Sequence, residues 1–206
     1  MHPRTRSNSL QWASLFLLFV LAALNGSRVA WAQADPTASL STAFSAFGGY
    51  TSSNPDYGPN RNNGATVGLD YTHYFGWRLT PSFEARGNYT TGTVLKEGSI
   101  LFGLRLQAGV RRFHPYADAL YGVTKIVYKN PPFPSYTYDI GGTTSIGGGV
   151  DVDLTPALQA KFDFQTEFMN FGPNGIVPNN ADFTLTPTLL TVGVVYHLPV
   201  HGRHKH

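Results

Sequence analysis

Residues 99–111 read Ser-Ile-Leu-Phe-Gly-Leu-Arg-Leu-Gln-Ala-Gly-Val-Arg. Ile100, Phe102, Leu104, Leu106, Ala108 and Val110 fall on one side of an extended chain. Leu101, Gly103, Arg105, Gln107, Gly109 and Arg111 fall on the other. Side chains alternate faces along a strand, so the stretch is a β-strand with one apolar and one polar face. Residues 158–169 repeat the pattern. Leu158, Ala160, Phe162, Phe164 and Phe168 oppose Gln159, Lys161, Asp163, Gln165 and Glu167. Residues 65–75 and 79–90 alternate in the same way, and so, more weakly, do 40–50, 116–127, 144–154 and 188–198. Phe47 is an exception in the first of these weaker strands, on the otherwise polar face. The reading is all-β, with eight strands of about 9–11 residues, enough to cross a hydrocarbon core at a tilt.

The connections alternate in length. Short turns fall at 76–78, 112–115 and 155–157. Longer stretches rich in Gly, Pro, Asn and Tyr fall at 51–64, 91–98, 128–143 and 170–187. Short turns at one end and four long loops at the other describe an eight-stranded antiparallel up-and-down meander. Pro187 cannot donate a ladder hydrogen bond, which places it above the spanning part of the last strand, near Thr188.

Ahead of the first strand lies a different kind of segment. Arg4 and Arg6 precede an apolar run from Trp12 to Leu24, and Ala30-Trp31-Ala32 supplies small residues for cleavage before Gln33. This is the layout of a secretory signal peptide over residues 1–32. The chain of 206 residues has a formal charge of +3, but Arg4, Arg6 and Arg28 belong to the leader and two more cations to the tail at 201–206. The barrel domain is therefore assigned to residues 33–200. Its Arg and Lys alternate with acids and form no basic stripe, which argues against nucleic acid as a partner. There is no Cys, hence no disulfide and no thiolate chemistry.

The few charges decide the solvent. Charged residues make up 13% of the chain. On the strands they gather on the polar faces, with Lys125 the exception near a loop end. The opposite faces carry bulky Phe, Leu and Tyr, too much volume for the inside of a small barrel. The polar face is therefore the lumen and the apolar face meets lipid, as in a transmembrane β-barrel. Strand position puts Asp70, Glu84, Arg86, Arg105, Lys161 and Asp163 near mid-membrane. Opposite charges confined there should pair, because an unpaired buried charge is costly. The expectation is a lumen plugged by salt bridges. The alternative is a narrow path for ions or small solutes.

The last strand reads Thr191-Val192-Gly193-Val194-Val195-Tyr196-His197-Leu198. Gly193, Tyr196 and Leu198 resemble the terminal-strand signal of bacterial outer membrane barrels, although Leu replaces the commoner Phe and eight residues follow. With the strand count, loop asymmetry and face composition, the chain from 39 to 198 resembles the small eight-stranded outer membrane barrels of the OmpA/OmpX type, without a peptidoglycan-binding domain. The resemblance implies outer-membrane localisation, lipid and the barrel assembly machinery as partners, a monomer, and a structural or surface-interaction role. Phe133, Tyr136 and Tyr138 stand out as contact residues, on a loop stiffened by Pro131, Pro132 and Pro134. A loop that merely covers the barrel mouth is the equal alternative.

No catalytic, cofactor or metal site emerges. A third reading, a lipid-modifying enzyme, lacks its signature: on the last strand His197 is followed by Leu198 and Pro199, so no His and Ser two apart are present. His201, His204 and His206 read as a basic tail rather than a metal site. His114 reads as a turn residue and His73 as an interfacial one.

Overall fold

A computed structural model describes residues 42–58, 60–75, 79–129, 137–171 and 183–199. The strands are β1 (Thr42–Asn54), β2 (Asn62–His73), β3 (Leu79–Thr91), β4 (Leu95–Ala108), β5 (Phe113–Tyr128), β6 (Tyr138–Thr155), β7 (Leu158–Phe171), β8 (Phe183–Leu185) and β9 (Thr188–Leu198). Each of β1 to β6 pairs antiparallel with the next. Both β8 and β9 lie along β7, with Met169 opposite Leu185 and Thr166 opposite Thr188. They are two lengths of one barrel strand, interrupted at Thr186-Pro187, where the proline lacks a ladder donor. Pairing of β9 with β1, Gly49 opposite Gly193, closes the sheet. The fold is an eight-stranded antiparallel up-and-down barrel, and closure removes the edge strands of an open sheet.

Burial is inverted relative to a soluble protein. Leu104, Val67, Ile100, Leu69 and Phe164 are all more than half exposed on the outside. Glu84, Arg86, Asp118, Lys161 and Asp163 are buried inside. Such an exterior is stable against hydrocarbon and not against water. Phe47 also points inward, the face on which the sequence puts it.

The expected strand lengths and one of the expected loops are corrected. Strands β1 to β7 run to 12–18 residues, longer than 9–11, while β9 has 11 and β8 only 3. The long connection expected at 91–98 is instead the turn Gly92-Thr93-Val94, closed by Gly92 N–H donating to the Leu95 carbonyl at 3.0 Å. Four long loops are therefore not present; the β3–β4 connection is tight. The cause is the same in both cases. Beyond the hydrocarbon the outer face need not be apolar, so the ladder continues through polar residues such as Thr91 and Lys96, which are opposite one another. Arg111 is also displaced from the lumen. It occupies the β4–β5 turn at φ 57° and is exposed, between Val110 and Phe113, which exchange backbone bonds of 2.8 and 3.0 Å.

Candidate functional site

The lumen is the place where chemistry-bearing side chains meet, and its contents are layered. Three adjacent strands bring the central cations and acids to one height: Asp70 on β2 lies opposite Glu84 on β3, and Ser82 on β3 lies opposite Arg105 on β4. Arg86 then reaches across the barrel. Its Nε donates to Glu84 Oε1 at 2.6 Å, its Nη1 and Nη2 to the two Asp163 oxygens at 3.0 and 3.1 Å, and its Nη2 also to Asp118 at 3.3 Å. The Asp163 contact is bidentate, the strong geometry for guanidinium and carboxylate. Arg105 holds Asp70 at 3.4 Å and Asp151, and its Nη1 lies 3.8 Å from Glu84 Oε2. Glu84 is thus shared by both arginines.

Lys161 completes the cluster by a different route. Its Nζ is 3.8 Å from Asp151 and sits between two rings, Phe47 at 4.5 Å and Tyr116 at 4.3 Å. The Arg105 guanidinium lies over the same Tyr116 ring at 3.6 Å. Ring faces carry partial negative charge and stabilise both buried cations. Three cations face five carboxylates here, and neutral donors serve the excess. Tyr116 donates to Asp163 at 2.6 Å and Gln165 to Asp118 at 2.8 Å.

All six charged residues singled out from the sequence, Asp70, Glu84, Arg86, Arg105, Lys161 and Asp163, therefore lie in one network. Asp118, Asp151, Phe47, Tyr116 and Gln165 join them. The alternation puts these on the inward face, but their height depends on register, which one sequence does not carry.

The two ends of the lumen differ. At the loop end, Leu95, Ile126, Met169 and Phe171 form a buried apolar cluster, with Tyr57, Tyr128, Phe183 and Leu185 packed against it. Beneath it Glu97 accepts from Tyr57 at 2.6 Å and from Thr90 at 2.8 Å. Burial, followed by that bond to Glu97, pushes the Tyr57 phenol above its usual pKa. Glu167 accepts from Asn88 at 2.6 Å. At the turn end a cavity of about 690 Å³ opens inward, lined by Thr72, Gln107, Arg112 and His197 and floored by Arg105 and Asp151. At its mouth His114 Nε2 lies 3.0 Å from Asp153. His114 is the second residue of β5, not a turn residue. His73 packs its ring 4.4 Å from Phe75.

The residues assigned to assembly all lie on β9. Tyr196 and Leu198 face outward and Gly193 inward, at the seam with β1. Of the loop residues, Tyr138 opens β6 and is exposed. Phe133 and Tyr136 lie outside the described residues, as do the leader and the tail at 201–206.

A sequence-family model of the outer membrane protein β-barrel domain matches residues 13–197. The chain belongs to that family. It is an outer membrane β-barrel, a class in which short turns are periplasmic and longer loops external. No curated protein matches its sequence. Solved structures resemble the chain at low identity. Neisserial surface protein A is 13% identical, over 76% of this chain and 97% of that one, at a TM-score of 0.49. The N-terminal β-barrel domain of Pseudomonas aeruginosa OprF is 11% identical, over 75% and 97%, at 0.47. AlkL, solved in lipid bilayers, is 14% identical, over 84% and 98%, at 0.49.

Proposed function

We propose that this barrel is a closed structural and surface-interaction element of the outer membrane, neither a pore nor an enzyme. The observation that carries the reading is the reach of Arg86 from β3 to carboxylates on β5 and β7. A side chain bonded on both sides of an eight-stranded interior leaves little cross-section for flow. The apolar cluster at the external end adds a second barrier. The lumen charges serve as a plug, and surface contact falls to the external rim, including Phe133, Tyr136 and Tyr138. Gly193, Tyr196 and Leu198 are the elements read by the assembly machinery, and the barrel acts as a monomer.

Planar-bilayer recording on the refolded protein tests the plug. The wild type should show no steady conductance. A steady current abolished by Glu84→Ala or Arg105→Ala would overturn the plug and assign the network to an ion path. The periplasmic cavity, which reaches Arg105, is the feature that favours this second reading. A lipid-modifying activity would instead appear as altered lipid A mass in a strain lacking the protein.

Export implies removal of residues 1–32. N-terminal sequencing of the outer-membrane form should begin at Gln33; a chain beginning near Met1 would mean an uncleaved anchor.

A further inference from the structure

Three of the five lysines in the chain lie on one sector of the external rim. Lys96 is on β4, Lys125 on β5, and Lys129 follows β5 directly. All three are exposed. The register fixes their arrangement. One outward row runs Tyr89, Gly98, Lys125, Ile140 across β3 to β6, and the next row up runs Thr91, Lys96, Val127, Tyr138. Lys96 and Lys125 are thus diagonal neighbours, within reach of one ligand. Gly98 sits beside Lys125 and contributes no side chain, so the surface there is recessed between Tyr89 and the lysine.

Their height is set by the apolar band below. On β4 the outward residues Leu106, Leu104, Phe102 and Ile100 are all about half exposed or more, and on β5 Tyr121 and Val123 are too. The lysines come immediately above, where hydrocarbon gives way to headgroups. The Lys125 ammonium rests 4.5 Å over the Tyr138 ring, which holds it at that level. Lys129 Nζ donates to the Gly92 carbonyl and fixes the rim above.

The charge is not neutralised locally. The acids on these strands near the rim, Glu97 and Asp139, both point into the lumen, where Glu97 accepts from Tyr57 and Thr90 and Asp139 accepts from Tyr128 at 2.9 Å. Outward, the described residues of these two rows are lysines, tyrosines and neutral side chains, with no acid among them. In the outer leaflet of an outer membrane the anionic groups at this depth are the phosphates of the glycolipid. An ammonium is a compact point charge suited to a phosphate oxygen.

We propose that Lys96 and Lys125, with Lys129 above them, form a binding site on the barrel exterior for the phosphates of an outer-leaflet phosphoglycolipid. The recess at Gly98 takes the sugar and Tyr89 and Tyr138 flank it. The site anchors an annular lipid on the β3–β6 side of the barrel.

Native mass spectrometry of the refolded full chain in neutral detergent tests this. The probes are bisphosphorylated lipid A, dephosphorylated lipid A, phosphatidylglycerol and inorganic phosphate. Each lysine near a charged membrane surface is worth about fivefold in partitioning at low salt. The wild type should therefore retain the bisphosphorylated form at least about tenfold over the dephosphorylated one. Lys96→Gln with Lys125→Gln should abolish that preference, while Lys96→Arg with Lys125→Arg should keep it. Heat-dependent gel mobility checks that each variant is folded. Should the glutamine variant fail to fold, raising salt on the wild type supplies the same test, because exposed charges are screened. The proposal is overturned if the two lipid A forms bind equally, if the folded glutamine variant keeps the preference, or if the wild-type preference survives high salt. Equal retention of phosphatidylglycerol would overturn the glycolipid assignment and leave a patch for anionic lipid in general. Equal competition by inorganic phosphate would reduce it to an anion site.

Discussion

Arg86→Ala should destabilise the folded barrel by about 3–5 kcal/mol, the range for removing one member of a buried charge network. The guanidinium serves Glu84, Asp118 and Asp163 together, and each is buried. Its loss leaves three carboxylates at one height with fewer donors. Tyr116 and Gln165 remain for Asp163 and Asp118, and Arg105 remains 3.8 Å from Glu84. These cannot replace five N–H groups in a fixed fork. Urea titration in lipid vesicles, followed by the unheated gel band, reads the effect. Arg86→Lys should fall between wild type and Arg86→Ala, since it keeps the charge and loses the fork. Adding Asp163→Asn to Arg86→Met should restore more than about 1 kcal/mol by removing an orphaned charge. A loss below about 1 kcal/mol for Arg86→Ala would mean that water enters the network freely and that the lumen is not dry.

The fate of Arg86 also shows what one sequence carries and what it lacks. Its face was legible, because alternation is local: Phe83 and Ala85 on one side, Glu84 and Arg86 on the other. Its partners were only partly so. Glu84 is two residues away, but Asp163 is 77 away on a strand across the barrel. Pairing at that distance depends on the register of every intervening strand. Asp118 and Asp151 were on the right face for the same reason, at a height the alternation does not give.

Strand ends were the least legible part. Within the hydrocarbon, alternation is enforced on both faces. Above it the outward face may be polar, as at Thr91 and Lys96, and the contrast that marks a strand vanishes. Residues 138–143 have the composition of a loop, although Tyr138 and Ile140 face out and Asp139 faces in. Gly141 and Gly142 dilute the pattern there. Below the band, Arg111 continues the parity of β4 and so read as a lumen charge. The φ of 57° turns the chain before it can reach the lumen. The feature most widely spread along the chain, the segregation of charge from bulk, was the most reliable. It reflects the solvent on each face rather than any single contact.

Gly193→Val should prevent or severely weaken barrel closure, and Gly48→Val should not. Gly193 and Gly49 face one another where the last strand meets the first. A Cβ on Gly193 would lie 2.3 Å from the Gly48 carbonyl oxygen and 2.7 Å from the Gly49 Cα. A Cβ on Gly49 would lie 2.6 Å from the Val192 carbonyl oxygen. These obstacles are backbone, which cannot swing aside as a side chain can, so the two strands would have to part. Overpacking a tight site costs about 1–3 kcal/mol and occasionally more. Here it falls on the pairing that removes the last open edge. Gly48 is the neighbouring control. A Cβ there meets only Val67 Cγ1 at 3.8 Å and the Thr66 carbonyl oxygen at 3.9 Å, both ordinary contacts. Refolding into vesicles without assembly machinery separates two roles for Gly193. Sterics predict that Gly193→Val loses the compact unheated band in the vesicles themselves, while Gly48→Val keeps it. If Gly193→Val refolds as wild type in vesicles and fails only in cells, the glycine acts through recognition of the terminal strand. The close approach at the seam would then be one the barrel can relax.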